Sequence, residues 1–170
     1  MINKIHNDSD YMDIIEDILN KKDFKKLEYI EHHNTNRLEH SLKVSYYSYK
    51  IAKMIFKDYD EVARGGLLHD FFEERTIYEV GAKAKFDVYT KHSTLALNNS
   101  LKHYELTKKE QDMIKSHMFP LDTNIPRYKE SWLVNTVDTF VSVYEFSLKF
   151  KYKLNYAANF TVFLLLNLFK

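Results

Sequence analysis

The stretch 61–72 reads EVARGGLLHDFF, and its apolar residues recur at the three- and four-residue spacing of an amphipathic helix. Asp60 stands directly before it, in the position of a helix N-cap. Gly65 and Gly66 lie inside the pattern, where a glycine costs about 1 kcal/mol of helix stability. Their presence predicts that a second backbone packs close to this helix.

His69 and Asp70 follow the two glycines directly along this helix. Adjacent residues on a helix diverge by about 100° around its axis. If both side chains bind a single ion, they must therefore stand at a helix end or have converging side chains.

The rest of the chain also predicts helices. With 170 residues and 45% apolar content, the chain can form one domain with its own core. Only three Gly and two Pro are available for the tight turns of an all-β fold. Besides 61–72, the helices predicted from periodicity and capping are 10–20, 23–33, 37–57, 93–102, 107–118 and 131–150. We therefore expect an all-α, single-domain bundle.

Six histidines and aspartates interrupt these helical patterns. They follow one another at intervals of 29, 1, 22, 25 and 21 residues, and they are His40, His69, Asp70, His92, His117 and Asp138. Burying one such group without a partner costs several kcal/mol. Taken singly, each could be a satisfied core histidine or a capping aspartate. Together they predict a divalent metal site in the core of the bundle.

The predicted inward faces locate these polar residues. His40 shares a face with a stripe that consists of Val44, Tyr47, Ile51, Met54 and Ile55. Asp138 stands within a second stripe, formed by Val134, Val137, Val141 and Leu148. His92 is placed at the start of its helix, where its ring can face a cavity. The segment 73–91 is predicted as a loop with a short helix.

Composition excludes several classes of function. The chain has no cysteine, which rules out thiolate nucleophiles and cysteine-ligated zinc. The 25 basic and 24 acidic residues give no electrostatic reason to expect nucleic acid as a partner. The sequence contains no G-x-S-x-G, G-x-x-x-x-G-K-[ST] or G-x-G-x-x-G motif, so serine hydrolase and nucleotide-loop readings lack support.

The two termini bear on location. The first ten residues, MINKIHNDSD, have no apolar segment typical of a signal peptide, which favours the cytoplasm. The segment 156–169, YAANFTVFLLLNLF, is shorter than the ~20 apolar residues that a membrane span requires. We expect it to be a terminal helix that packs on the core, with a homodimer interface as the alternative and no membrane contact.

The residues carry a resemblance to a known superfamily. His40, the pair His69–Asp70 within GGLLHD, and Asp138 within NTVDTFVSVYE resemble the HD-domain superfamily of metal-dependent phosphohydrolases. The motifs KHSTLALNN and KSHMFPL add His92 and His117, and this set is similar to the HDIG-like subgroup that holds two metals. The resemblance implies that His40, His69, Asp70 and Asp138 bind one ion and that His92 and His117 bind a second, with Asp70 bridging.

One departure from the resemblance concerns the residues after the pair. Many relatives read HDIGK, whereas this chain reads HDFFEE, with Glu73 where a lysine often helps to hold phosphate. Glu73 or Glu74 could orient the attacking water, as an acidic residue does in the nucleotidase and alarmone-hydrolase branches. The alternative is that both are solvated helix-end charges that belong to neither mechanism. Asp70 and Glu73 are therefore the candidate catalytic carboxylates.

The function that this resemblance implies is hydrolysis of a phosphoester or phosphoanhydride by a metal-activated water. The substrate would be a nucleotide or another small phosphorylated metabolite, and the cofactor one or two ions of Fe, Mn, Zn, Co or Ni. Arg37, Lys91 and Arg127, and less directly Arg64, lie near motif residues and are candidates to bind phosphate. The alternatives are a di-iron oxygenase of the same superfamily and a non-catalytic ligand-binding module.

The same reasoning divides the chain into three parts. Residues 1–36 are predicted as covering helices, 37–150 as the HD-type metal-dependent core, and 151–170 as a C-terminal packing helix of the same domain.

Overall fold

The computed structural model describes residues 2–32, 35–55, 57–72 and 82–168, and only the backbone at 31–32, 82–90 and 155–168. Helices make up most of these residues, which confirms the predicted all-α bundle. In chain order they are α1 Ile2–His6, α2 Ser9–Leu19, α3 Lys22–Lys25, α4 Arg37–Ile55, α5 Tyr59–Leu68, α6 Ala82–His103, α7 Lys108–Ser116 and α8 Lys129–Leu168.

The N-terminal region contains a hairpin where the sequence predicts a helix over 23–33. Helix α3 ends at Lys25 and continues as one 3-10 turn, Lys26–Tyr29. Two short antiparallel strands follow, β1 Glu31–His32 and β2 Thr35–Asn36. The longer helix prediction is wrong because the segment after the turn is rich in histidine, asparagine and β-branched residues, which form helices poorly.

The glycines of α5 mark a close approach of two helices, as predicted. A Cβ atom on Gly66 would lie 3.1 Å from the Cα of Ser45 in α4. A Cβ atom on Gly65 would lie 2.8 Å from the sulfur of Met113 in α7. Helix α5 therefore lies between the backbone of α4 and the Met113 side chain of α7.

The boundaries of α5 differ from the prediction at both ends. The helix begins at Tyr59 with Asp58 in the N-cap position, so the predicted cap at Asp60 is wrong. It ends at Leu68 rather than at residue 72. His69 and Asp70 consequently stand at a helix end, which is one of the two arrangements that would let both reach a single ion.

Helix α6 begins at Ala82, ten residues before His92. The prediction that His92 starts its helix is therefore wrong. Of the segment 73–91, predicted as a loop with a short helix, residues 82–91 belong to α6 and residues 73–81 lie outside the described residues. The capping box of α7 is confirmed, since the Glu110 N–H donates to Thr107 Oγ1 at 3.2 Å and the Thr107 N–H donates to the Glu110 carboxylate at 2.7 Å.

Helix α8 runs for 40 residues without a break. It joins the predicted helix 131–150 to the predicted terminal helix 156–169. At 1.5 Å per residue it is about 60 Å long. The prediction that the terminal segment packs on the core falls on side chains outside those described.

The inward face of α4 differs from the one predicted. Val44 is buried, but Tyr47, Ile51, Met54 and Ile55 are all exposed. The buried residues are instead the small side chains of Ser41, Ser45 and Ser48 and the larger ones of Leu42, Tyr46 and Tyr49. Ser45 meets Gly66 of α5 at close range, and the larger side chains belong to the apolar cluster that also contains residues of the N-terminal helices. Contact with two neighbours therefore decides which residues of α4 turn inward.

Apolar residues form two clusters around the central helices. One lies under the N-terminal helices and includes Ile15, Phe24 and Leu67, and the other joins α4, α5, α7 and α8 through Val44 and Val134. The predicted valine stripe of α8 is buried in this second cluster. Over the described part of the chain, none of the helices has the length and hydropathy needed to cross a bilayer.

Candidate metal centre

The six polar residues singled out in the sequence come together in one cluster. They come from α4 (His40), the end of α5 (His69 and Asp70), the middle of α6 (His92), the end of α7 (His117) and α8 (Asp138). Two triplets, each with ligand atoms within 4.8 Å of one another, can be drawn among them: His40, His69, Asp138, and His69, Asp70, His117. Five separate elements therefore converge on a single buried polar centre.

Two helix ends orient two of the imidazoles in the same way. His69 and His117 stand directly after the last residues of α5 and α7. His69 Nδ1 lies 2.8 Å from the Gly66 carbonyl oxygen, and His117 Nδ1 lies 2.8 Å from that of Ile114. Because a carbonyl oxygen only accepts, each Nδ1 carries the proton and donates it. Each Nε2 therefore faces the centre of the cluster.

His69 Nε2 is the clearest sign of an ion site. The side chain is fully buried, and this nitrogen has no hydrogen-bond partner among the residues that the structure describes. Burial lowers the pKa of His69 to about 4, so its Nε2 presents a lone pair. The nearest carboxylate oxygens, on Asp70 and Asp138, each lie 3.7 Å away. A buried lone pair that faces two carboxylates is unfavourable, and a divalent cation bound among them would remove that cost.

His92 and His117 approach each other on the other side of Asp70. Their Nε2 atoms lie 2.9 Å apart. The Nε2 of His92 lies 3.4 Å from Asp70 Oδ1, and that of His117 lies 3.6 Å from the same oxygen. Metal–nitrogen bonds of about 2.1 Å place neighbouring ligand atoms roughly 3 to 3.5 Å apart. Burial lowers the pKa of His117, but Asp70 more than offsets this and the net shift is upward. These separations fit a shared divalent ion.

His40 is held between two carboxylates. Its Nε2 lies 3.0 Å from Asp138 Oδ1, and its Nδ1 lies 2.9 Å from Glu145 Oε2. Burial alone would lower the pKa of His40, but the hydrogen bonds to Asp138 and Glu145 raise it to about 10. The same contact with His40 holds the pKa of Asp138 well below its ordinary value, against the effect of burial.

Glu145 is a site residue that the sequence reasoning missed. Glu145 is buried, and its Oε1 accepts a hydrogen bond from Lys43 Nζ at 2.9 Å. The same Nζ also pairs with Glu39 at 2.8 Å. A signal was available, because Glu145 lies seven residues, two helical turns, after Asp138 and hence on the same face of α8. A carboxylate behind a histidine commonly fixes which ring nitrogen faces a metal.

A second missed residue is Asn135 of α8. Its amide group donates to the carbonyl oxygens of His117 and Phe119, each at 2.6 Å. These bonds tie the end of α7 to α8 and so fix the backbone that carries His117. Asn135 is one turn before Asp138, which places both on the face of α8 that meets the cluster.

The predicted cations have different surroundings. Arg37 is buried, donates to the Phe72 carbonyl oxygen at 2.8 Å, and lies 4.0 Å over the Phe72 ring, which stacks in turn on His92. Lys91 is exposed beside His92. Arg64 pairs with Asp17 and Glu110, away from the cluster.

Arg127 lines a separate polar cavity of about 590 Å³, together with Lys115 and Tyr128. None of the six clustered residues lines it. Glu73 and Glu74 lie outside the described residues.

Comparison with known proteins identifies the family. Searches of curated proteins and of solved structures gave no match. A family model described as HD domain matches residues 37–144, which span the helices that supply His40 through Asp138. This match covers more than half of the 170 residues. The chain belongs to the HD domain family.

Proposed function

We propose that this protein is a metal-dependent phosphohydrolase of the two-metal, HDIG-like kind. The observation that carries the proposal is the buried Nε2 of His69, which faces two carboxylates and has no hydrogen-bond partner among the described residues. His40, His69, Asp70, His92, His117 and Asp138 are the proposed ligands. Divalent ions held by them would polarise a phosphoryl oxygen and lower the pKa of water towards neutrality.

The side chains around the centre prepare it for that role. The Nδ1–H groups of His69 and His117 are committed to backbone carbonyls, so only Nε2 is left to bind. Asp70 lies within 3.7 Å of the Nε2 atoms of three histidines, which suits a bridging position between two ions. Without cations, the carboxylates of Asp70 and Asp138 would repel a phosphoryl group.

Binding of the substrate is assigned to the cations near the motif residues. Arg37 and Lys91 are proposed to contact phosphate beside His40 and His92, and Arg127 to contact a more distant part of a nucleotide or similar metabolite. Arg37 is well placed to act through Phe72 on the ring of His92 as well. Glu73, three residues after Asp70, is the proposed water-orienting carboxylate.

The decisive experiment measures metal content and then reaction type. Protein purified without chelator should contain between one and two transition-metal ions per chain. Metal-free protein should be loaded with Mn, Fe, Co, Ni or Zn in turn and assayed against nucleotides, alarmones and phosphomonoesters for phosphate release. Failure to bind any metal on titration would contradict the proposal. Oxygen consumption by the iron-loaded protein, without phosphate release under any metal, would identify an oxygenase instead.

A further inference from the structure

The outer face of α8 carries an apolar seam that is exposed to solvent. The seam consists of Phe140, Val143, Ser147, Phe150 and Leu154, at successive spacings of three, four, three and four residues. All five are exposed, Phe140 by 72% and Leu154 by 54%. Tyr144 and Phe146 flank the seam and are exposed as well. This alternation of three and four is the heptad spacing of a helix that pairs with another helix.

The seam continues beyond the part of α8 that the core covers. Every residue from 149 to 154 is exposed, on all sides of the helix. The helix itself continues to Leu168. In the sequence, the same three-four spacing runs on through Ala157, Thr161, Leu164 and Leu168. An exposed apolar heptad on a helix is stabilised in water by pairing with a second helix.

The exposed area matches what a dimer needs. A large apolar side chain has about 150–250 Å² of surface, so the exposed fractions of the seam and its flanking residues amount to on the order of 800 Å² per copy. Stable interfaces bury about 800 Å² per partner. Beside the seam, Tyr47 and Ile51 of α4 line an apolar groove of about 370 Å³ with Phe140 and Tyr144. The apolar surface is therefore wide enough for a partner helix and its flanks.

We propose that the α8 seam joins two copies of this chain as a parallel pair of helices. A self-pairing seam explains why the apolar positions follow a strict heptad with the small Ser147 among them. In a parallel pair each seam residue meets its own copy across the two-fold axis, and the charged Lys149, Lys151 and Lys153 lie outside the seam.

The first test is the mass of the full chain in solution, measured by light scattering and sedimentation. The wild type should be a dimer. Phe150→Glu and Leu154→Glu should each raise the dimer dissociation constant at least tenfold, since a carboxylate would be buried in an apolar seam. Tyr152→Glu is the matched control: Tyr152 is 65% exposed and adjacent to the seam in sequence, but it points about 160° away from Leu154. It should stay dimeric.

The second test uses the absence of cysteine from the chain. Under mild oxidation, Leu154→Cys should form a covalent dimer and Tyr152→Cys should not. A wild type that is monomeric at about 100 µM would overturn the proposal, and so would a dimer that the seam variants leave unchanged. Monomers that bind vesicles of phosphatidylcholine and phosphatidylglycerol would show that the seam contacts lipid instead. Lack of a disulfide at Leu154→Cys would overturn the parallel arrangement.

Discussion

The two faces of α8 reverse the usual distribution of polar and apolar residues. The inner face buries Asp138 and Glu145 in the cluster, whereas the outer face exposes Phe140, Phe150 and Leu154. Buried charge and exposed aromatic surface are both costly by themselves. On each face, a binding partner would remove this free-energy cost. For the inner face that partner is a metal, and for the outer face it is a second helix.

Asp70→Ala tests the inner face most severely. Asp70 lies near the Nε2 atoms of His69, His92 and His117, so its loss should abolish both metal binding and the proposed phosphohydrolase activity. A metal present at a thousandfold excess over its dissociation constant adds about 4 kcal/mol to the free energy of unfolding. The variant loses this contribution, so its melting temperature should also fall. Elemental analysis and thermal unfolding measure both. His6→Ala, at an exposed site, is the control, and an Asp70→Ala variant with full metal content would refute the assignment.

His92→Ala and His117→Ala divide the centre into its two proposed ions. Each variant should retain about one ion per chain, keep its fold, and lose activity by a factor on the order of 10², because one of two charges that stabilise the transition state is gone. Metal content and kcat on a substrate found by screening are the measurements. If both variants keep two ions and wild-type turnover, the site is mononuclear.

Glu145→Gln tests whether the carboxylate behind His40 contributes to metal affinity. The variant keeps the shape of the side chain but weakens the acceptor behind His40, so metal affinity should fall by roughly 10- to 100-fold. Glu39→Gln is the matched control, because Glu39 also pairs with Lys43, whereas the carboxylate bonded to His40 Nδ1 is that of Glu145. Titration with a competing chelator gives the affinity. Equal effects of the two variants would mean that Lys43, not Glu145, is the important neighbour.

Metal-free protein should be most stable near pH 6.5. The pKa of His40 is raised to about 10, so its contribution to stability is fully present below pH 6.5 and is lost as the pH rises towards 10. The pKa of His69 is lowered to about 4, so stability also falls as the pH drops from 6.5 towards 4.

Chemical denaturation of chelated protein across this range should show both losses. Added metal should reverse the alkaline one, since metal binding competes with the proton on His40. Stability that rises continuously from pH 6.5 to 9 in the chelated protein would contradict this interpretation.

The smallest expected effect is that of metal removal on dimerisation, which tests whether the two faces of α8 are coupled. Chelation should leave the dimer dissociation constant unchanged within about twofold, because the seam residues and Asp138 lie on different faces of α8. Sedimentation with and without chelator measures it. A dimer that dissociates when the metal is removed would show that the two faces of α8 are coupled.

The sequence predicted the centre better than the boundaries around it. Six chemically distinctive residues in apolar surroundings were enough to identify the cluster, and the paired glycines correctly predicted the close approach of α4 and α5. The inward face of α4 was mistaken because the helix packs against both α5 and the N-terminal region, so that Tyr46 and Tyr49 are buried together with Ser45 while Ile51 and Met54 face out. The start of α6 was placed too late, since apolar and polar residues alternate along 82–88, AKAKFDV, and this spacing does not predict a helix.

The sequence did not predict Glu145 and Asn135 as site residues, and the reason is different. Both act on backbone or ring atoms of other helices, Glu145 on His40 and Asn135 on the end of α7. Their roles depend on how α8 is rotated against α4 and α7, and a helical pattern alone does not give that rotation. Only the assembled bundle brings these pairs together.

Two helix carboxyl ends, those of α5 and α7, meet at the cluster, since Leu68 and Ser116 are their last residues. The aligned peptide dipoles of a helix place roughly half a negative charge at this end. The backbone itself therefore gives the centre a negative potential, in addition to the carboxylates. We expect an obligatory order of binding from this: the cation binds first and reverses the local field, and only then does a phosphate become a ligand. Inorganic phosphate should accordingly show no measurable affinity for the chelated protein.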